Sequence, residues 1–280
     1  MAITKNQRFG LIVLILLIIA SVLVTTEPWK KPAAELETSL VDAAPAPVTI
    51  RWEHPSEGYP RFPDQGTIRS YTGFDLAYNE THEQASWVAY ILTRADVEKG
   101  TVQRTDNFRP DTSISSGSAS LADYRGSGYD RGHLAPAGDM KWDLAAMSES
   151  FLMSNMSPQD PSFNRGIWRR LEEQVRRWAI EKDSIYVVTG PALGTVHSTI
   201  GENSVGVPSY YFKVVADLSP PDHSFIAFLL PNRGSRESLY QYAVTVDSLE
   251  SFTGIDFFAS APDREVIEWL ESKLDLAEWD

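Results

Sequence analysis

Between Tyr124 and Glu172 the chain carries residue types able to set a base, a metal ion and a phosphate-gripping cation around one point. The stretch opens Tyr124-Arg125-Gly126-Ser127-Gly128-Tyr129-Asp130-Arg131-Gly132-His133-Leu134-Ala135-Pro136. It continues through Phe151-Leu152-Met153-Ser154-Asn155-Met156-Ser157-Pro158-Gln159 and closes Asn164-Arg165-Gly166-Ile167-Trp168-Arg169-Arg170-Leu171-Glu172. A water beside a neutral imidazole can lose its proton as it attacks, so His133, in a short Gly-flanked strand, is the candidate general base. Gly132 removes a side chain beside the ring, and Asp130 or a backbone carbonyl could fix the tautomer. His54, His82, His197 and His223 stand outside this pattern and are read as structural.

By type and place alone, Asn164 is equally a helix cap and a metal ligand, with Asp160 or Ser162 able to cap in its stead. Glu172 follows eight residues later, two turns on and about 80° further round, roughly 12 Å along a helix axis. Asn164, Trp168 and Glu172 therefore climb one drifting stripe. From there Glu172 can hold waters around a metal ion without touching the ion, or pair with Arg176 four residues on. The neighbouring stripe of Ile167, Leu171, Val175 and Trp178 has core spacing. Trp168 is read as packing.

Three blocks, Asp130-Arg131-Gly132-His133, Ser154-Asn155-Met156-Ser157-Pro158-Gln159 and Asn164…Trp168…Leu171-Glu172, resemble in order and spacing the DNA/RNA non-specific endonuclease family. One four-residue match recurs by chance; three in order are specific. The resemblance covers roughly residues 68–262, including Val244-Thr245-Val246-Asp247-Ser248-Leu249-Glu250 and Thr253-Gly254. It implies a central sheet with helices on both sides and a ββα metal-binding finger. It makes Asn164 the one direct protein ligand of Mg²⁺, with waters completing the shell and Mn²⁺ as the stand-in. That suits an ion that takes oxygen ligands and dehydrates reluctantly.

The same resemblance makes Arg104, in Arg104-Thr105-Asp106-Asn107-Phe108-Arg109-Pro110-Asp111, the arginine on the scissile phosphate. A planar guanidinium pairs bidentately with phosphate oxygens and offsets charge growing there. Arg109 is the neighbouring candidate for that clamp. Arg131 and Arg176 match other positions near the phosphate, against a structural pairing with Asp130 and Glu172. Asn155 and Gln159 are read as supports that orient His133 or waters on the metal. The implied activity is metal-dependent, sequence-non-specific endonucleolytic hydrolysis of DNA and RNA to 5′-phosphate ends, through contacts mainly to backbone phosphates. Two other readings are a membrane-tethered nucleic-acid binder without catalysis and a phosphodiesterase on other phosphates. The first should lack at least one of His133, Asn164 and Glu172, and all three are present.

The elements that must position these residues come from the rest of the 280-residue chain. Its net charge of −13 looks wrong for a polyanionic substrate, but residues 101–182 carry 11 Lys+Arg against 11 Asp+Glu. The acidity lies elsewhere, so the expectation is a local basic patch with weak long-range steering. With no cysteine, disulfides and thiolate metal sites are excluded. Eighteen uncharged residues separate Arg8 from Glu27, near the ~20 of a spanning helix. They are read as an uncleaved signal-anchor over 9–26 after a cytoplasmic tail, 1–8, ahead of a cleaved signal peptide or a mitochondrial presequence. A Pro/Ala-rich linker, 27–55, then leads to a catalytic domain, 56–280, on the extracytoplasmic side, periplasmic or external. Expected partners are DNA and RNA, and the membrane through the N-terminal helix; a homodimer is left open.

Strands are expected at Ile68–Tyr78, Ala85–Leu92, Ile185–Thr189, Tyr210–Ala216 and Ser224–Leu230, with Ser86–Leu92 patterned for a sheet covered on one face. Helices are expected over Pro161–Lys182 and Val246–Phe252, and a long loop over Thr101–Ser120. The fold class is α+β with an antiparallel-rich central sheet flanked by helices, preceded by one transmembrane helix.

Overall fold

Apolar, β-branched runs with short turns between them pair side by side, and here they close into a seven-stranded sheet. The computed structural model describes residues 50, 52–62, 66–217, 219 and 223–280. The expected tail, anchor and most of the linker lie outside the described residues. Ile50 and Trp52 are already buried, Trp52 edge-on to Tyr186 at 4.8 Å, so the packed unit begins by residue 50.

The strands are β1 (Thr67–Ser70), β2 (Asp75–Asn79), β3 (Gln84–Thr93), β4 (Asp130–His133), β5 (Met156–Gln159), β6 (Ser184–Pro191), β7 (Val196–Ile200), β8 (Val205–Pro208), β9 (Tyr210–Asp217), β10 (Ser224–Pro231) and β11 (Ala243–Val244). The main sheet runs β1-β2-β3-β6-β9-β10-β11, with every pair antiparallel. Two ribbons, β4–β5 and β7–β8, stand apart from it. The helices are α1 (Arg94–Lys99), α2 (Leu121–Tyr124), α3 (Leu144–Glu149), α4 (Arg169–Glu181), α5 (Val246–Thr253) and α6 (Arg264–Glu271). The α+β class expected from the sequence is the class observed.

Three local expectations change. The run Ile68–Tyr78 is two strands rather than one, because the chain turns where the Tyr71 N–H donates to Phe74 O at 2.9 Å. Gly73 allows that turn to sit close: a Cβ there would lie 2.4 Å from Met140 Sδ. The sheet is covered on both faces, not one, and β3 is buried over most of its length. Val88, Tyr90 and Leu92 pack towards α4, while the opposite face is sealed by Trp52, Phe257 and Phe258 against Tyr186, Phe212 and Phe225.

The helix expected over Pro161–Lys182 is not uniform. A π-helical segment, Phe163–Trp168, with a break at Gly166 (φ −109°, ψ −108°), precedes α4. A wider turn adds a residue without advancing the face, so the count of 100° per residue from Asn164 to Glu172 fails there. Trp168 consequently falls into the core and is fully buried. Such bulges recur at functional sites because they re-aim one side chain without ending the helix.

Ile167, Leu171, Val175 and Trp178 are all buried, as their spacing predicts. Trp178 stacks on Phe228 at 6.0 Å, meets Trp279 edge-on at 4.9 Å and donates through Nε1 to Trp279 O at 2.9 Å. One indole thus seats α4 on the sheet and latches the C-terminus. Among the described residues no helix is long and apolar enough to cross a membrane. Truncating Trp178→Ala should cost roughly 3–5 kcal/mol, read as a lower urea midpoint at unchanged m-value. A loss below about 1 kcal/mol would show that this contact does not seat the helix.

Candidate active site

The first two sequence blocks are the two strands of one ribbon. β4 pairs with β5 in the register Asp130↔Gln159, Arg131↔Pro158, Gly132↔Ser157 and His133↔Met156. Gly132 is required here, though not to clear the imidazole: a Cβ would lie 2.2 Å from the Gln159 side chain, which occupies that space. Both polar atoms of the Gln159 amide are buried without a hydrogen-bond partner.

His133 ends β4. Its ring meets Phe151 edge-on at 4.9 Å and Phe108 at 5.7 Å. Those two rings each carry a guanidinium: Arg104 lies 4.7 Å from the Phe151 centroid and Arg131 4.1 Å from that of Phe108. Burial, and then the charges of Arg104 and Arg131, push His133 down to about 3, so the imidazole is neutral at physiological pH. Its Nε2 is buried and unpartnered. A buried polar atom left unsatisfied in a folded protein calls for a functional explanation.

Asn155 orients His133 through the backbone. Its Oδ1 accepts from the Ala135 N–H at 2.9 Å, its Nδ2 donates to Ala135 O at 2.9 Å and Ser150 O at 2.8 Å, and its own carbonyl accepts from the Leu134 N–H at 3.0 Å. The chain leaving His133 is clamped from both sides. Trp168 Nε1 also donates to His133 O at 3.4 Å, which ties the π-helical segment to the strand.

Asp130 does not fix the His133 tautomer, nor does it pair with Arg131. Its carboxylate accepts from Asn164 Nδ2 at 2.9 Å and from Arg165 Nε and Nη2 at 2.8 and 2.6 Å. Burial alone would raise Asp130; the hydrogen bonds from Arg165 and Asn164 overcome that and hold it below the usual carboxylate range. Asn164 is not the helix cap. Asp160 does that work, accepting from the Ser162 and Phe163 N–H groups. With its Nδ2 committed to Asp130, Asn164 presents an Oδ1 that accepts nothing from the described residues, and a hard oxygen of that kind suits Mg²⁺.

Glu172 lies on α4 with no protein hydrogen-bond partner among the described residues, and burial raises its carboxyl well above the usual range. Lys213 opposes that rise. It stands fully buried on β9, between Tyr211 and Val215 on the face turned to α4, 4.8 Å over the Trp168 ring. Burial lowers Lys213 in turn, and Glu172 partly restores it. When ionised, a carboxylate without a protein partner can accept from waters around an ion. Of Asn164 and Glu172, Asn164 supplies the observation that fits Mg²⁺, a hard oxygen to which no described residue donates.

Arg176 is charge-paired with Glu172 and bonded to Asp139. Its Nη1 donates to Asp139 Oδ1 at 2.7 Å, and Tyr90 donates to the other oxygen at 2.8 Å, so it supports the floor of the site. Arg109 is committed to the carbonyls of Asn107 and Ser148 at 3.2 and 2.8 Å. Arg104 keeps its Nε on Asp106 at 2.7 Å and leaves the rest of its fork exposed. Of the two clamp candidates, Arg104 is the one gathered around His133.

Sequence reasoning missed Phe108, Phe151, Arg165, Asp139 and Lys213. Their neighbours in space are distant in sequence, and a lone Lys213 inside an apolar strand was the one local signal. A cleft of about 270 Å³ lined by Tyr124, Arg125, Tyr129, Asp130 and Arg131 opens beside β4. Three of the remaining histidines hold local structure: His54 caps a turn from Nδ1, His197 meets Ser209 Oγ at 3.1 Å, and His223 Nε2 accepts from the Ile50 N–H.

The family model for DNA/RNA non-specific endonucleases matches residues 55–264. The chain is 33% identical over 215 residues to mouse "Nuclease EXOG, mitochondrial", covering 70% of this chain and 58% of that protein. It is 35% identical over 214 residues to a Nostoc "Nuclease", covering 72% and 76% respectively. Among solved structures, the "EndoG/EndoGI complex" matches with a TM-score of 0.68 and 32% identity, over 73% of this chain and 91% of that one. The chain thus spans under two thirds of the mouse relative's length. The expected location is corrected by these findings: the mouse relative, like several others, is named as mitochondrial, while the expected anchor lies outside the described residues. A single-pass protein facing the extracytoplasmic side therefore does not stand.

The unfolded imidazole of His133 protonates near 6.5 and the folded one only near 3. The unfolded state then binds more protons between those values, and stability falls as pH drops through that window. His133→Asn should flatten this acid-side fall, measured as the difference in urea midpoint between about pH 7 and about pH 4.5. An unchanged difference would show that the ring is not held neutral by its surroundings.

Proposed function

Because the chain belongs to the DNA/RNA non-specific endonuclease family, we propose that it hydrolyses phosphodiester bonds in DNA and RNA without sequence selection, leaving 5′-phosphate ends. The observation that carries this reading is one junction. A neutral, unpartnered imidazole flanked by two guanidinium groups ends the strand whose first residue is bonded to Asn164.

His133 takes the proton from a water attacking phosphorus; a neutral ring can accept it, and Arg104 and Arg131 disfavour charge on that ring before substrate arrives. Once a phosphate binds, the same two guanidinium groups face an anion. They hold its non-bridging oxygens and offset the charge that grows there in the transition state. Phe108 and Phe151 keep both arginines and the imidazole in register from beneath.

Asn164 Oδ1 would hold Mg²⁺, with Glu172 accepting from its waters. Bound there, the ion would supply Lewis-acid polarisation of the phosphate and stabilise the leaving 3′ oxygen. Lys213 and Arg176 favour the ionised form of Glu172, and Arg176 is itself held by Asp139. Contacts of this kind reach phosphates and not base edges, which supports lack of sequence preference.

Nicking of supercoiled plasmid should be abolished by EDTA and restored by Mg²⁺. His133→Ala should lower the rate by about 10²–10⁴-fold with the circular dichroism spectrum unchanged. Near-normal turnover would remove the base assignment. Asn164→Ala should reproduce the effect of EDTA and abolish the response to added Mg²⁺; metal-dependent cutting that survives the substitution would refute the ligand role.

A further inference from the structure

The two C-terminal helices hold a second group of charges that the chemistry above does not use. Asp247 and Glu250 stand on α5 and Glu271 ends α6, and one carboxylate oxygen from each lies within 4.8 Å of the others. Glu271 is only 2% exposed, and its Oε1 is buried with no hydrogen-bond partner. Glu250 is fixed by the Phe257 N–H, which donates to its Oε1 at 2.7 Å. Asp247 is exposed and opens the group to water.

Burial raises the Glu250 and Glu271 carboxyls; among the described residues Arg264 is the cation that opposes that rise, and neither carboxylate is bonded to it. Its fork is committed to Phe258 O at 3.0 Å, Glu268 at 3.5 Å and Asp256 at 3.6 Å. Glu271 moreover sits in the last turn of its helix, where the macrodipole is negative and a carboxylate is unfavourable. Like charges this close are relieved by protons or by a cation.

All three donors are hard oxygens, which excludes metals that prefer nitrogen or sulfur. Calcium holds oxygens at ~2.3–2.6 Å, so ligands across its shell stand up to about 5 Å apart. Mg²⁺ keeps several waters and is usually held by one or two carboxylates, whereas three carboxylates whose oxygens lie within 4.8 Å of one another, with one side open to water, are a set that calcium takes. We propose that Asp247, Glu250 and Glu271 form a calcium site that staples α5 to α6, sharing no residue with the site at Asn164.

The test is calorimetric titration of CaCl₂ into EDTA-stripped, full-length protein carrying Asn164→Ala, which removes the ligand proposed for magnesium. One calcium per chain is expected, with a rise in Tm of roughly 5–10 °C at calcium about 100-fold above its Kd. Asp247→Asn and Glu271→Gln should each weaken calcium binding by at least about 10-fold. Asp247 is exposed, so its variant keeps the question answerable if Glu271→Gln misfolds. No calcium binding to the Asn164→Ala protein, or binding unchanged by Asp247→Asn, overturns the site. So does a protein indifferent to calcium whose stability falls as the pH rises through about 7–8, because protons would then be holding the three carboxyls together.

Discussion

The carboxylate of Asp130 is the point on which the candidate site depends. It is the first residue of β4, and it accepts three hydrogen bonds from two consecutive residues of the π-helical segment, Asn164 and Arg165. A carboxylate has oxygens enough to take all three, and Asn164 is left with one free end, its carbonyl oxygen. The bond that holds helix to strand therefore also aims the proposed metal ligand. Asp130→Ala would unlink the two elements and let the carboxamide turn.

Under that junction lies a layer of charge with little access to water. Burial pushes Glu172 up and Lys213 down, and the charge each presents to the other opposes both shifts, while Arg176 is held by its bond to Asp139. Such an arrangement contributes little net stability, since desolvation offsets most of the Coulomb attraction. What it contributes is position. Removing Lys213 would leave Glu172 buried without its counter-charge, and a protonated Glu172 could no longer accept from waters around an ion. The aromatic pair Phe108 and Phe151 does the equivalent for the cationic side, seating Arg104 and Arg131 over ring faces where a cation is attracted.

The acidic surplus of the chain fits this layout. It lies outside residues 101–182 and includes Asp247, Glu250 and Glu271 on the far helices. Net charge sets long-range attraction, whereas phosphate contact is set by the few groups within a Debye length. A chain at −13 can still present Arg104 and Arg131 to a phosphate.

The sequence by itself determined the strands β3, β6, β9 and β10, the buried stripe of α4, the C-terminal helix α5 and the three blocks that become the site. In each case neighbours along the chain are neighbours in the signal: periodic apolar residues, β-branched runs, motif residues at fixed spacing. Only the tertiary structure decided which partner each polar group takes. Asp130 chose Arg165 over Arg131, Arg176 chose a bond to Asp139 over one to Glu172, and Gln159 took the space beside Gly132. Those choices join residues 27 to 37 positions apart, across a strand register and a π-turn that shift side chains by a whole face. A pattern of residue types cannot encode a rotation that arises only when helix and strand are packed together.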